Sequence, residues 1–168
     1  VNTILMQFII LAAFFLDAYA FSTEGVVGFT IGRKNRKSFL AVVKNSIQIS
    51  FFTALIISFL YLIFFKQLIN IITDVEMLRF ISFKHFIWII IIPPIAAFCY
   101  QLDGIFIGAS QTTEIRNAMI ISVASFLVIS IYLTKHFGNH GLWLSLVFFM
   151  ILRSITLYFF FNKILKKF

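Results

Sequence analysis

Five long apolar stretches divide this sequence, and they constrain its fold more than any other feature. The hydrocarbon core of a bilayer requires about 20 apolar residues per helix. The stretches lie at about residues 4–32, 38–65, 85–109, 118–133 and 142–161. One soluble core of a 168-residue chain cannot bury so many apolar residues. The sequence therefore predicts an all-α polytopic membrane protein with five transmembrane helices, for which lipid replaces water around most side chains.

Composition supports this prediction and excludes one class of partner. Hydrophobic residues make up 61% of the chain and charged residues 12%, whereas soluble domains are about 45–50% apolar and about 25% charged. The net charge of +8 comes from basic residues that flank the apolar stretches. They do not form the basic stripe with interleaved aromatic residues that is typical of nucleic-acid binding. We therefore expect the lipid bilayer as a partner and no nucleic acid.

The segment at residues 66–84 differs from the five stretches, because its charges are spaced among apolar residues. Such a pattern is typical of a helix that lies in the membrane interface. We therefore predict a short interfacial helix between the second and third stretches.

The basic residues also predict the orientation, because cytoplasmic loops carry an excess of Lys and Arg. Placing the loop after the first stretch in the cytoplasm puts nine basic residues on that side and four on the other. The nine are Arg33, Lys34, Arg36, Lys37, Lys44, Arg116, Lys163, Lys166 and Lys167, and the four are Lys66, Arg79, Lys84 and Lys135. We expect a multi-pass protein of a bacterial inner (plasma) membrane with a cytoplasmic C-terminus. Since the chain starts with Val1 on the outer side, we also expect a missing upstream part.

Four ionisable residues lie deep inside the apolar stretches: Asp17, Glu24, Asp103 and Arg153. A charge at the centre of a bilayer costs at least ~2.5–3.5 kcal/mol, so such residues are candidates for a functional site. Asp17 and Glu24 are seven residues apart, which brings them back to one face of a helix. The three acids are candidates for cation or proton exchange, and Arg153 is their candidate counter-ion. The alternatives are carboxyl groups that only support packing and a purely structural ion pair.

A proline pair and a polar cluster mark the third stretch. Pro93 and Pro94 are expected to kink the helix and free backbone carbonyls, which transporters often use near their sites. Tyr100 and Asp103 follow at positions that share a face, with Gln101 between them. A kink above a polar cluster indicates a site more strongly than either feature alone. The single Cys99 cannot form an internal disulfide, and spacings typical of metal ligands are absent.

Glycines are spaced for close helix approach on the first and third stretches. Gly25, Gly28 and Gly32 fall on the first, and Gly104 and Gly108 on the third. Small residues four apart let transmembrane helices pack closely. We expect packing to be the role of all five.

Three segments resemble the multidrug and toxic compound extrusion (MATE) transporters of the DinF-like branch. FFLDAYAFSTEGVVGFTIGRKNRKSF, at residues 14–39, resembles their eighth helix and the loop after it. FCYQLDGIFIGASQTTEIRNAM, at 98–119, is similar to their tenth helix, and GNHGLWLSLVFFMILRSITL, at 138–157, to their last helix with its deep arginine. The resemblance implies that the five predicted spans are helices eight to twelve, part of the C-terminal lobe of a twelve-helix transporter.

The resemblance also implies a function. MATE transporters export organic, often cationic compounds in exchange for protons or sodium, so we expect a secondary antiporter and no enzyme. The implied partners are a small organic substrate and the missing N-terminal lobe, with a proton or sodium as the coupling ion and no other cofactor. Tyr19, Tyr100 and Gln101 are candidate substrate contacts.

Three alternatives remain open at this stage. A lipid-linked oligosaccharide flippase of the same superfamily shares the helix plan, although three deep acids against one arginine disfavour its usual cationic cavity. An intramembrane aspartyl protease would use Asp17 and Asp103, but Gln101-Leu102 precedes Asp103 where the GxGD motif is expected. The third alternative is a fragment that is inactive on its own.

Overall fold

The computed structural model describes residues 1–168 and contains six helices and no strand. The helices are α1 (Asn2–Gly32), α2 (Arg36–Ile72), α3 (Glu76–His85), α4 (Ile87–Gly108), α5 (Thr112–Phe137) and α6 (Asn139–Leu165). All except α3 are long and apolar enough to cross a membrane. The predicted fold class is confirmed: the chain is all-α, with five helices of transmembrane length and composition.

The structure divides the predicted interfacial segment at residues 66–84. Its first part continues α2 as far as Ile72, and only its second part forms the short helix α3. The sequence prediction ended α2 too early because Lys66 was read as a boundary, whereas the buried stripe continues through Ile69. Arg79 closes the intervening turn, since its Nε donates to the Thr73 carbonyl oxygen at 2.7 Å.

Helix α4 is the centre of the bundle. It packs against α1 and α2 on one side and against α6, and more lightly α5, on the other. Helices α5 and α6 form a tight hairpin around Gly138, whose φ of 56° is a conformation that glycine adopts without strain. A side chain at Gly141 would collide with the Leu133 carbonyl, so glycine is required there for the two helices to approach.

The proline pair lies inside α4, which continues as one helix through both residues. Proline has no backbone N–H, so Pro94 leaves the carbonyl of Ile90, four residues earlier, without its helical partner. The Ser58 hydroxyl on α2 donates to that carbonyl oxygen at 2.8 Å. A neighbouring helix therefore replaces the hydrogen bond that Pro94 removes, as is needed where no water is present.

Two hydrophobic clusters fill the interior, one towards each end of the bundle. One joins the start of α1 to the end of α2 and the starts of α4 and α6, and includes Leu5, Phe65 and Ile92. The other joins the opposite ends of the same helices and includes Phe39 and Leu157. The polar residues near the middle of the helices lie in the layer between these clusters, and this layer contains the candidate site.

The basic residues that were predicted to be cytoplasmic gather at one end of the bundle, because successive long helices run in opposite directions. At that end, Lys163 on α6 forms an ion pair with the buried Glu114 on α5 at 2.8 Å. The opposite end is held by neutral groups: Trp88 Nε1 donates to His140 Nδ1 at 3.0 Å, and the Asn2 and Asn139 amides bond to each other. The bundle therefore has one end rich in basic residues and an opposite end with fewer of them, where neutral hydrogen bonds join the helices.

Candidate functional site

The three predicted acids line one groove, together with the predicted counter-ion. Asp17 and Glu24 enter it from α1, Asp103 from α4 and Arg153 from α6. The groove has a volume of about 270 Å³. Its other lining residues are Ala20, Phe21, Tyr100, Gly104, Ile107 and Ile115. The structure thus brings Asp17 and Arg153, which are 136 positions apart in the sequence (153 − 17), into one groove.

Close packing of α1 on α4 forms the floor of this groove. A Cβ atom at Gly104 would stand 2.5 Å from the Ala20 carbonyl oxygen, and one at Gly108 would collide with the Glu24 carbonyl. These two glycines therefore let the backbones touch at the level of the acids, which confirms the packing role predicted for them. A larger residue at Gly104 or Gly108 would separate the two helices that carry the carboxylates.

The glycines of α1 behave differently from the prediction. A Cβ at Gly28 would make an ordinary contact, 3.4 Å from the Gly108 carbonyl oxygen, and one at Gly25 or Gly32 would meet nothing within 4 Å. The packing role predicted for Gly25 and Gly32 is therefore wrong within this chain. The i, i+4 spacing identified small residues but did not indicate which face of α1 meets α4.

Arg153 pairs with one acid and leaves the other two without a counter-ion. Its Nη2 lies 2.8 Å from Asp103 Oδ2, and each of these two side chains is 15% exposed. Asp103 Oδ1 and Arg153 Nε are buried and have no hydrogen-bond partner in the chain. No ion pair involves Asp17 or Glu24. When all the acids are ionised, the groove carries an excess of negative charge.

The three carboxylates line the groove without forming a metal cluster. No group of three or more His, Cys, Asp or Glu side chains in the chain is arranged to hold a metal ion.

The three predicted substrate contacts occupy different places. Tyr100 lines the acidic groove. Tyr19 lies on another flank of α1, where its hydroxyl accepts from Thr53 Oγ1 at 3.2 Å. Gln101 is fully buried, and its Oε1 accepts from Thr23 Oγ1 at 2.9 Å. The structure thus places Tyr19 and Gln101 outside the acidic groove, and Gln101 is not open to a substrate in this conformation.

Sequence reasoning missed Phe21 and Thr23 as members of the polar layer. Phe21 lines the acidic groove and Thr23 connects α1 to Gln101. Helical spacing could have identified Thr23, because it follows Tyr19 by four residues and therefore lies on the same face of the helix. Nothing in the sequence distinguished Phe21 from the many other phenylalanines, 24 in all.

A bundle of five helices long and apolar enough to cross a membrane, with an acidic groove between three of them, has the features of a membrane transporter. Residues 1–135 match the family profile of MatE. The chain therefore belongs to the MATE family, whose members are transporters, and this confirms the resemblance seen in the sequence.

One curated relative is DNA damage-inducible protein F of Escherichia coli (strain K12). It is 33% identical to this chain over 157 residues, which are 94% of this chain and 34% of the relative. The chain therefore spans about a third of the length of this relative. No solved structure matches the chain.

Proposed function

We propose that this chain forms part of a MATE-type secondary antiporter that exports organic cations in exchange for protons or sodium. The observation that carries the proposal is the groove itself. It holds three carboxylates and one guanidinium, and only Asp103 is paired with Arg153. Asp17 and Glu24 remain available to bind a cation or a proton.

Electrostatics supports the preference for a cation. The groove lies at the depth where lipid surrounds the bundle, and a charged cleft with low-dielectric walls concentrates counter-ions. Two unpaired carboxylates on α1 would therefore attract cations and repel anions. The same argument opposes the flippase alternative, because a lipid-linked oligosaccharide carries negative phosphates into the cavity.

Exchange requires that the two cargoes compete for the same groups. A protonated carboxyl has no charge for an organic cation, so binding of protons to Asp17 and Glu24 would release the substrate. Coupling then depends on different affinities in the two orientations of the transporter, because a ligand shifts an equilibrium only by its differential affinity.

The walls of the groove suit a partly apolar cation. Phe21 and Tyr100 lie beside the carboxylates, and an aromatic face attracts a cation within about 6 Å of its centre. Ligand pockets usually have volumes of about 300–1,000 Å³, and this groove, at about 270 Å³, is below that range. We therefore propose that the rest of the transporter, including the N-terminal lobe, supplies further walls.

The proposed location is a bacterial inner membrane, with the basic end of the bundle and the C-terminus in the cytoplasm. Arg33, Lys34, Arg116 and Lys163 lie at or near helix termini of that end, where the positive-inside rule places them. In this orientation Glu24 lies closer to the cytoplasm than Asp17 does, by about 10 Å at ~1.5 Å per residue.

A chimera tests this proposal. The aligned third of the E. coli relative is replaced by this chain, and uptake of a radiolabelled quaternary ammonium compound is measured in inside-out vesicles with an imposed proton or sodium gradient. We expect gradient-driven uptake that is lost in the Asp17→Asn and Glu24→Gln variants. The matched control is Asp74→Asn, a fully exposed acid outside the groove, which should transport normally. Normal transport by both groove variants would overturn the proposal.

A further inference from the structure

A second groove lies on the other flank of α1, between α1 and α2. Its volume is about 240 Å³ and its lining contains no charged residue. The lining residues are Tyr19, Ser22, Thr23, Val26, Val42, Asn45, Ser46 and Ile49. It differs in chemistry from the acidic groove, because hydroxyl and amide groups replace carboxylates.

This neutral groove starts near the basic end of the bundle and reaches inward. Helix α2 begins at Arg36, so Asn45 lies about 14 Å along its axis and Thr53 about 26 Å, at ~1.5 Å per residue. The hydrogen bond between Thr53 and Tyr19 marks the inner limit of the polar side chains. The groove lining on α2, from Val42 to Ile49, therefore lies about 9 to 20 Å along that helix at ~1.5 Å per residue, and Thr53 lies just beyond it.

The polar groups at its mouth are incompatible with a lipid environment. Ser22 and Asn45 are exposed, and so are Lys44 and Gln48 on the same part of α2. An amide transferred to hydrocarbon without a hydrogen bond costs several kcal/mol, roughly 4–8 on the strictest scale. Lys44 can extend its long side chain to the membrane surface, but the shorter Asn45 cannot. Water beside Asn45 would remove this penalty.

Two completely buried polar atoms lack partners in residues next to the groove lining, since one residue follows Ile49 in the sequence and the other bonds to Thr23. They are Nε2 of Gln101 and Oγ of Ser50, in residues with no exposed surface. An unsatisfied buried polar group costs about 1–3 kcal/mol, and bound water usually provides the missing bond. The Gln101 amide bonds to Thr23, which lines the groove. Since the Thr23 hydroxyl also lies 2.8 Å from the Tyr19 carbonyl oxygen and has one proton to donate, either orientation of the amide leaves one polar atom of Gln101 without a partner.

We propose that the neutral groove is a water-filled path from the cytoplasmic end, and that its innermost water binds Gln101. The Thr23–Gln101 hydrogen bond then separates the two grooves, because Thr23 precedes Glu24 on α1 and Gln101 precedes Asp103 by two positions on α4. The presence of water rests on geometry alone. Its use as a route by which protons reach the acidic groove rests on the proposed function.

Cysteine accessibility tests the path. The native thiol is removed by Cys99→Ala, and Asn45→Cys, Thr53→Cys and Phe52→Cys are introduced one at a time. Phe52 is the matched control, because it is 63% exposed on the same helix and is not part of the groove lining. Inside-out vesicles are treated with a membrane-impermeant methanethiosulfonate, which reacts with the thiolate form that water supports.

We expect Asn45→Cys to react at least tenfold faster than Phe52→Cys, and Thr53→Cys at an intermediate rate. Adding Gln101→Leu should slow the reaction at Thr53→Cys and leave Asn45→Cys unchanged, because only the innermost water depends on the amide. Equal rates at Asn45→Cys and Phe52→Cys would overturn the proposal, and so would reaction only from the opposite membrane face. An unchanged labelling rate of Thr53→Cys in the Gln101→Leu background would overturn the proposal that the innermost water binds Gln101.

These measurements require no transport, so they separate this proposal from the proposed function. If Asn45→Cys is labelled and the Asp17→Asn variant transports normally, only the proposed antiport role of the acids is contradicted. If the chimera shows gradient-driven transport and Asn45→Cys is not labelled, only the proposed water path is contradicted.

Discussion

The two flanks of α1 present different chemistry although they belong to one helix. Asp17 and Glu24 line a groove with α4 and α6 that also contains Arg153, whereas Tyr19 and Ser22 line a groove with α2 that has no charged residue. The difference follows from helical register, since residues seven apart share a face and residues two apart do not. One helix can therefore carry a site for ions on one flank and neutral hydrogen bonds on another.

The two flanks are also held together by different forces. On the acidic flank, backbone contact at Gly104 and Gly108 and the Asp103–Arg153 ion pair join the helices. On the neutral flank, single hydrogen bonds such as Thr53 to Tyr19 join them. The acidic flank should therefore respond more strongly to substitution, and the following predictions test that difference from the largest expected effect to the smallest.

Arg153→Met should be the most damaging single change. It leaves the mostly buried Asp103 without its counter-ion, and removing one partner of a buried pair costs roughly 3–5 kcal/mol of unfolding free energy. Adding Asp103→Leu to the variant should restore most of this loss. Unfolding in mixed micelles with increasing SDS measures the change. Arg36→Met is the control, because Arg36 is exposed and takes part in no ion pair, and a change of less than about 0.5 kcal/mol is expected. Equal stabilities of Arg153→Met and Arg36→Met would contradict the account.

Gly104→Ala should have the next largest effect. The added methyl group would overlap the Ala20 carbonyl, and forcing such overlap into a packed interior costs roughly 1–3 kcal/mol. Gly25→Ala adds the same methyl group where nothing lies within 4 Å, and it should leave the stability unchanged or slightly raised. The same SDS titration compares the two. If Gly25→Ala were the more harmful, α1 would pack through a different face.

Tyr19→Phe should have a smaller effect, because it removes one hydrogen bond of the neutral flank. A typical intramolecular hydrogen bond contributes about 0.5–1.5 kcal/mol, and the long bond to Thr53, 3.2 Å, should lie at the lower end. Tyr158→Phe is the control, since Tyr158 is 70% exposed and should show no change. A loss for Tyr19→Phe as large as that for Arg153→Met would remove the distinction between the flanks.

Asp17→Asn should have the smallest effect on stability, because the carboxylate has no ion pair to lose. Substitutions that break no specific interaction usually change the unfolding free energy by less than about 0.5 kcal/mol. Thermal unfolding of the purified chain in detergent, followed by circular dichroism, measures the change. A strong destabilisation would indicate that Asp17 serves packing rather than binding.

The sequence predicted the helices and the grouping of charges well, for physical reasons that the structure makes clear. Length and apolarity fix the number of long helices, and the energetic cost of Asp17, Asp103 and Arg153 in lipid forces them to share one groove. The extension of α2 to Ile72 was missed, because a buried stripe can pass a surface lysine such as Lys66. The flank that each polar residue faces was also missed, since it depends on which neighbour packs there.

The hydrogen bond that Ser58 donates to the Ile90 carbonyl oxygen shows the same limit of prediction from sequence. The sequence indicated that Pro94 would free a carbonyl, but not that a hydroxyl 36 positions earlier (94 − 58) would bond to it. Likewise, Gly104 and Gly25 have similar surroundings in the sequence, and only tertiary packing makes one essential and the other free. Local sequence patterns predict the helices, whereas contacts between helices that are distant in the sequence decide which residues stabilise their packing.

The central claim is that the unpaired acids of the groove bind an organic cation in competition with protons. Its most direct test is isothermal titration of tetraphenylphosphonium into the chain in lipid nanodiscs at several pH values. We predict weak binding that decreases as the pH falls, disappears in the Asp17→Asn/Glu24→Gln double variant and persists in Ser46→Ala on the neutral flank. Binding that is independent of pH, or that survives in the double variant, would contradict the account.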